Sequence, residues 1–362
     1  MAEQEVTDPV SWEVARRVAR QALRFAPPLD PSVRAELEAD FAELTPRAEE
    51  LVAELTGLHS ADGAARGRVT DRVGWVDANV SSFRRLLRPL GERLASSEGP
   101  LQRALGPGGR AAAGTEVGLI LAWISSRVLG QYDLLPVDTE DDGDIVYYVG
   151  PNIVALERRH AFPPKEFRLW IALHEVTHRL QFTGVPWMRD YFLSLVERGT
   201  SMTAPDAKAL LESLRRAATQ LRDGRNPLAE GGVVGLLASS DQLATLHEVQ
   251  ALMSLLEGHG DIVMSRAGKE LVPGAERFAR VLSERRSSAK GVAKFLQQAM
   301  GIEAKLRQYA EGERFVEAVI EHGGDALLAQ VWQGPELLPT LEEVRDPESW
   351  VRRVEGVTSP VS

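Results

Sequence analysis

The segment FRLWIALHEVTHRLQF, residues 167–182, sets two histidines four residues apart, His174 and His178, with Glu175 beside the first. On a helix, residues at that spacing project from one face, one turn above the other. The two imidazoles can therefore reach a single ion. Zinc accepts neutral imidazole nitrogen readily, and its catalytic sites use three protein ligands and a water. Glu175, one step round the helix, is placed to take a proton from a water that such an ion acidifies. The alternative is a pair of core histidines satisfied by hydrogen bonds, with Glu175 at the surface. The flanking LWIAL and LQF argue against it, because they make the helix apolar on most sides, where an unpaired carboxylate is costly to bury.

A third ligand has to come from elsewhere. Continuation as His-x-x-Gly-x-x-His is excluded, since Gln181 and Gly184 stand where that pattern needs glycine and histidine. A carboxylate from a later helix is the remaining choice, and Glu257 in VQALMSLLEGHGDIVM is ranked first. It lies in an apolar run beside Leu255 and Leu256, with Gly258 and Gly260 permitting close helix contact. Glu197, in LVERG, is the reserve; next to Arg198 it reads as a surface pair at a helix end. His259 is two residues from Glu257 and so points to a different side of the helix. It is kept as a core histidine or a transition-state donor. His247 and Glu248, in LHEVQA, repeat the start of the motif without its second histidine and read as coincidence.

The elements that must position these groups are mostly helices. Asp8-Pro9, Asp30-Pro31 and Thr45-Pro46 each put a capping side chain before a proline suited to a first helical turn. Apolar spacing predicts further helices near 70–96, 110–129, 164–183, 188–198, 205–222, 240–266, 274–287, 291–309 and 312–322, and another after Asp346-Pro347. DIVYYVGPNIVALE, residues 144–157, breaks the pattern with β-branched and aromatic residues and predicts one or two short strands. The acidic VDTEDDG before it lacks the spacing of a calcium loop and reads as solvated. Residues 96–114 and 222–235, rich in glycine, are linker or loop candidates. The basic run from Arg277 to Lys294 reads as a solvated helix face. The fold class is therefore mainly α, with a small β element close to the active-site helix.

Bulk composition narrows the function. A chain of 362 residues can bury a large core as one domain or two. Its net charge of −10 weighs against nucleic acid as a partner. The absence of cysteine removes thiolate chemistry and Cys-type metal sites and fits a reducing interior. The N-terminus lacks an apolar leader, and the longest apolar run, residues 117–130, contains Arg127 and is too short to span a bilayer. No membrane partner and a cytoplasmic location are expected.

Taken together, VYYVGPNIVALERR, FRLWIALHEVTHRLQFTGVPW and ALMSLLEGHGDIVM resemble the actinobacterial zincin-like metallopeptidases. That family was long listed as a domain of unknown function, and some members are labelled as associated with deazaflavin-coenzyme biosynthesis. The resemblance runs from Gln131 to Gly268 and extends over most of the chain. It implies a helical zincin-like core at 131–268, between helical regions at 1–130 and 269–362, all three compatible with one compact domain. It also implies an active site holding His174, His178 and Glu175, faced by the Glu-Gly-His segment at 257–259. It supplies no substrate, and no flavin or nucleotide motif accompanies it.

The expected activity is zinc-dependent hydrolysis of a peptide bond, with zinc on His174, His178 and Glu257 and with Glu175 as general base. Tyr147, Tyr148 or His259 would donate to the oxyanion, and the strand Ile145–Val149 would be the edge on which an extended peptide adds. The rivals are a catalytically silent scaffold that keeps this fold and a zinc hydrolase of a non-peptide amide.

Overall fold

The computed structural model describes residues 8–96, 106–134, 144–200, 240–287 and 302–358. The expected helix at 205–222, the loop at 222–235, the acidic loop and much of the first linker lie outside them. The chain divides into two compact units, Met1–Gly184 with Ala267–Ala275, and Val185–Arg266 with Glu276–Ser362.

The first unit contains α1 (Trp12–Leu23), α2 (Pro31–Thr56), β1 (Arg66–Thr70), α3 (Arg72–Ser96), α4 (Pro107–Ser125), β2 (Gly130–Tyr132), β3 (Ile145–Val149), α5 (Gly150–His160) and α6 (Pro164–Thr183). Helix α2 starts as its sequence demands: the Asp30 carboxylate accepts the Ser32 N–H at 2.8 Å and Pro31 occupies the first turn. It stops at Gly57, whose φ of 70° suits glycine. Its stripe of Leu37, Phe41, Leu44, Ala48 and Val52 recurs every three or four residues and is fully buried or nearly so. Thr45-Pro46 does not start a helix. Pro46 lies inside α2, and Thr45 is buried, its hydroxyl 3.0 Å from that of Tyr148. Asp8 is likewise no cap, since Ser11 precedes α1.

Strand order is β1-β3-β2, with β1 parallel and β2 antiparallel to β3. The expectation of an edge strand at Ile145–Val149 is thus overturned. β3 is central, its ladder groups are shared with a neighbour on each side, and all five of its side chains are buried. Its sequence reads as a continuous apolar run for that reason. Gly150-Pro151-Asn152 is the start of α5 rather than a turn between strands, with the proline in the first turn.

Helix α6 is buried on nearly every side and packs along α2. Two arginines eleven residues apart clamp it. Arg168 bonds Glu157 of α5 and Glu36 and Asp40 of α2; Arg179 bonds Glu49 of α2, Asp144 before β3 and the Gly63 carbonyl. Burial opposes both charges, yet these carboxylates outweigh it and raise both guanidinium pKa values above the usual range.

The second unit contains α7 (Met188–Thr200), most of α8 (Ser240–Leu271) and α9 (Ala275–Ser287), α10 (Ile302–Leu328), α11 (Leu341–Arg345) and α12 (Pro347–Thr358). Helices α8 and α10 cross at Gly258 and Gly312, so closely that a Cβ on Gly258 would lie 2.2 Å from the Gly312 carbonyl carbon. Trp350 of α12 is fully buried, donates to the Leu337 carbonyl at 2.8 Å and stands edge-on to Phe315. A capping box between Thr340 and Glu343 opens α11. Among the described residues no helix is long and apolar enough to cross a membrane.

Candidate metal centre

Within the otherwise buried middle of α6, residues 167–181, His174 and His178 are the two partly open positions. Their rings stand edge-on, with centroids 4.5 Å apart and planes at 83°. The two Nε2 atoms converge to 3.2 Å. The Gln181 amide oxygen lies 2.9 Å from His178 Nδ1. An amide oxygen only accepts, so Nδ1 carries the proton and the Nε2 lone pair of His178 faces the other ring. A metal-ligating histidine commonly donates its second ring N–H in this way.

Two nitrogens on a tetrahedral zinc at about 2.0–2.1 Å stand roughly 3.3 Å apart, so the observed spacing fits one edge of that tetrahedron. Within the first unit, His174 and His178 thus bring two imidazole nitrogens within reach of one ion. Glu257 is half-buried on α8 between Leu256 and Gly258, which are buried. Two neutral imidazoles with one carboxylate is a donor set that zinc accepts.

Glu175 is buried, 8% exposed, and its side chain lies against Gly130 at the start of β2. His259 is also buried and packs edge-on against Trp332 at 5.1 Å. Glu197 is exposed on α7, while its neighbour Arg198 pairs with Glu248. Tyr148 is unsuited to the oxyanion role. It is fully buried, stacked on Phe41 at 3.7 Å and bonded to Thr45, and burial raises its hydroxyl pKa.

Sequence reasoning missed Gln181 as the partner of His178, the two clamping arginines and Gly130. The arginines had a signal. Eleven residues at about 100° each return to within about 20° of the same direction, so Arg168 and Arg179 share a face. Their acidic partners are scattered over α2, α5 and the approach to β3, and only the fold brings them there.

No curated protein matches the chain. A chain from Chloroflexus aurantiacus, described from its crystal structure as a candidate hydrolase with a novel fold, is similar to it at 30% identity and a TM-score of 0.71. The match covers 96% of this chain and 99% of that one. The family described as zincin-like metallopeptidase matches residues 10–351. That family implies a metal, typically zinc, and a hydrolase, in accord with the paired Nε2 atoms of α6. With its match spanning nearly the whole sequence, this chain belongs to the zincin-like metallopeptidase family.

Proposed function

We propose that the protein is a zinc-dependent peptidase in which His174, His178 and Glu257 hold the ion and Glu175 is the general base. The observation that carries the proposal is the 3.2 Å convergence of two imidazole Nε2 atoms on one helix. Gln181 holds the tautomer that leaves the lone pair of His178 available. Zinc, when bound, supplies Lewis acidity that activates a water and polarises a carbonyl.

The protein residues do the rest. Glu175 takes the proton of the attacking water and passes it to the leaving amine. Its burial against Gly130 supports this role, because it holds the carboxylate in one place away from bulk solvent. His259 is the residue assigned to steady the oxyanion. Arg168 and Arg179 hold α6, and with it His174, Glu175 and His178, against α2 and the sheet.

The test is Glu175→Gln, assayed on a mixed peptide library beside the zinc-loaded and the chelator-treated wild type. Zinc should stay bound and turnover should fall by about 10²–10⁴-fold, the usual contribution of a positioned acid–base group. Full turnover by that variant would sink the assigned role. Bound zinc with no cleavage by the wild type would leave a scaffold or a non-peptide hydrolase.

A further inference from the structure

We propose that Gly130 is the seat of Glu175: the side chain that Gly130 lacks is the space in which the catalytic carboxyl group stands. Gly130 is then a positioning residue, and the inference rests on the assignment of Glu175 as the general base. A Cβ at position 130 would lie 2.5 Å from Glu175 Cγ, 2.7 Å from Oε1 and 2.8 Å from Cδ. All three are shorter than contacts that real Cβ atoms make. The backbone gives no other reason for glycine here, since Gly130 is not among the residues with positive φ. Within a strand, glycine weakens the ladder and marks a place where another group comes close.

Neither backbone can retreat. β2 is held on both sides of Gly130. The Leu129 carbonyl accepts Val149 N–H at 2.8 Å, and Asp133 N–H donates to the Ile145 carbonyl at 3.0 Å. Asn152 Nδ2 donates to the Val128 carbonyl at 2.6 Å, and the Gln131 side chain donates to Asn79 at 3.1 Å. Opposite it, Glu175 lies between the two arginine clamps of α6. The part able to move is the end of the Glu175 side chain. Fold and metal ligands therefore survive a methyl group at position 130, while the carboxyl group loses its place. Misplacing a reacting group by about 1 Å costs on the order of 10²-fold in rate.

The experiment compares the full-length zinc-loaded protein with Gly130→Ala, Glu175→Gln, Glu175→Ala and the double variant Gly130→Ala/Glu175→Ala. The readouts are zinc content, melting temperature, kcat and KM on a cleaved peptide, and the crystal structure of Gly130→Ala. The expected result is Gly130→Ala with wild-type zinc content, kcat lower by about 100-fold at unchanged KM, and a displaced Glu175 carboxyl group. Wild-type kcat in Gly130→Ala beside an inactive Glu175→Gln overturns the seat and leaves the proposed function standing. An active Glu175→Gln removes the proposed function; the seat is then read from the crystal structure of Gly130→Ala, and a Glu175 carboxyl group unmoved there overturns it. Should Gly130→Ala fail to fold, the double variant supports the seat by melting with Glu175→Ala and overturns it by failing as well.

Discussion

Arg179 offers the sharpest test of what holds the histidine helix in place. Its side chain has no exposed surface, and the two carboxylates it serves, Asp144 and Glu49, are only 14% and 16% exposed. Its Nε lies 2.9 and 3.0 Å from the two oxygens of Asp144, and Nη2 lies 2.8 Å from the Gly63 carbonyl. Arg179→Met keeps most of the volume and removes every one of these donors. Two carboxylates are then stranded in a nearly closed site, a change that costs about 3–5 kcal/mol when one partner of a buried pair is removed. That is a large share of the roughly 5–15 kcal/mol that keeps a domain folded. At about 2–4 °C per kcal/mol for a unit of this size, the melting temperature should fall by roughly 10 °C. Urea titration and calorimetry at pH 7 would measure it. Adding Asp144→Asn and Glu49→Gln should return more than half of the loss, because neutral amides are not stranded as charges are. A cost below about 1 kcal/mol, within the range of ordinary surface substitutions, would refute the reasoning. So would a full cost that the two amides leave untouched. Asp144 adds a further strand to the argument: its φ of 57° is one that few residues other than glycine adopt, and Asn tolerates it equally.

Gly258→Ala should force α8 from α10, because both nearest contacts, at 2.2 and 2.4 Å, are backbone atoms of Gly312. A loss of about 1–3 kcal/mol is expected by denaturant titration, with weaker zinc retention against a chelator because Glu257 is the preceding residue. Glu343 gives a pH dependence. Burial raises its pKa, but hydrogen bonds from Arg353 and from the Thr340 backbone, with the Arg353 charge, win and hold it below the ordinary 4.5. A depressed carboxylate contributes stability that is full above the ordinary value and fades as pH falls through the lower folded one. Arg353→Met should therefore melt below wild type at pH 7, with a gap that narrows as pH drops below about 4.5 but does not vanish, since the Arg353 bonds to the Glu336 and Leu338 carbonyls do not titrate; a gap of constant size in melting curves would contradict it.

Much of the chemistry was legible before any fold was known. The helix at 164–183, the histidine pair on its face and the capped start at Asp30-Pro31 follow from spacing and local bonding, and the structure reproduces them. Thr45-Pro46 misled because proline in a 26-residue helix is decided by burial, not by local preference: Leu44, Thr45 and Ala48 anchor that stretch in the core. The sheet was hidden for a related reason. β1 is Arg-Gly-Arg-Val-Thr and β2 is Gly-Gln-Tyr, too short and too polar to announce strands, so the neighbours that make β3 central went unseen. Gly130 falls just past the helix expected at 110–129 with nothing in the sequence to mark it, and its closeness to Glu175 exists only after the chain has folded.

The first unit closes with a piece of chain borrowed from far downstream. Val272 is 1% exposed, and the Gly274 N–H donates to Glu166 of α6 at 3.1 Å. A ribosome must therefore release more than 80 further residues after Gly184 before that unit has all of its parts. Until then Glu166 is without the Gly274 N–H. A gene cut at Gly184 would encode an unfinished body rather than a separable domain.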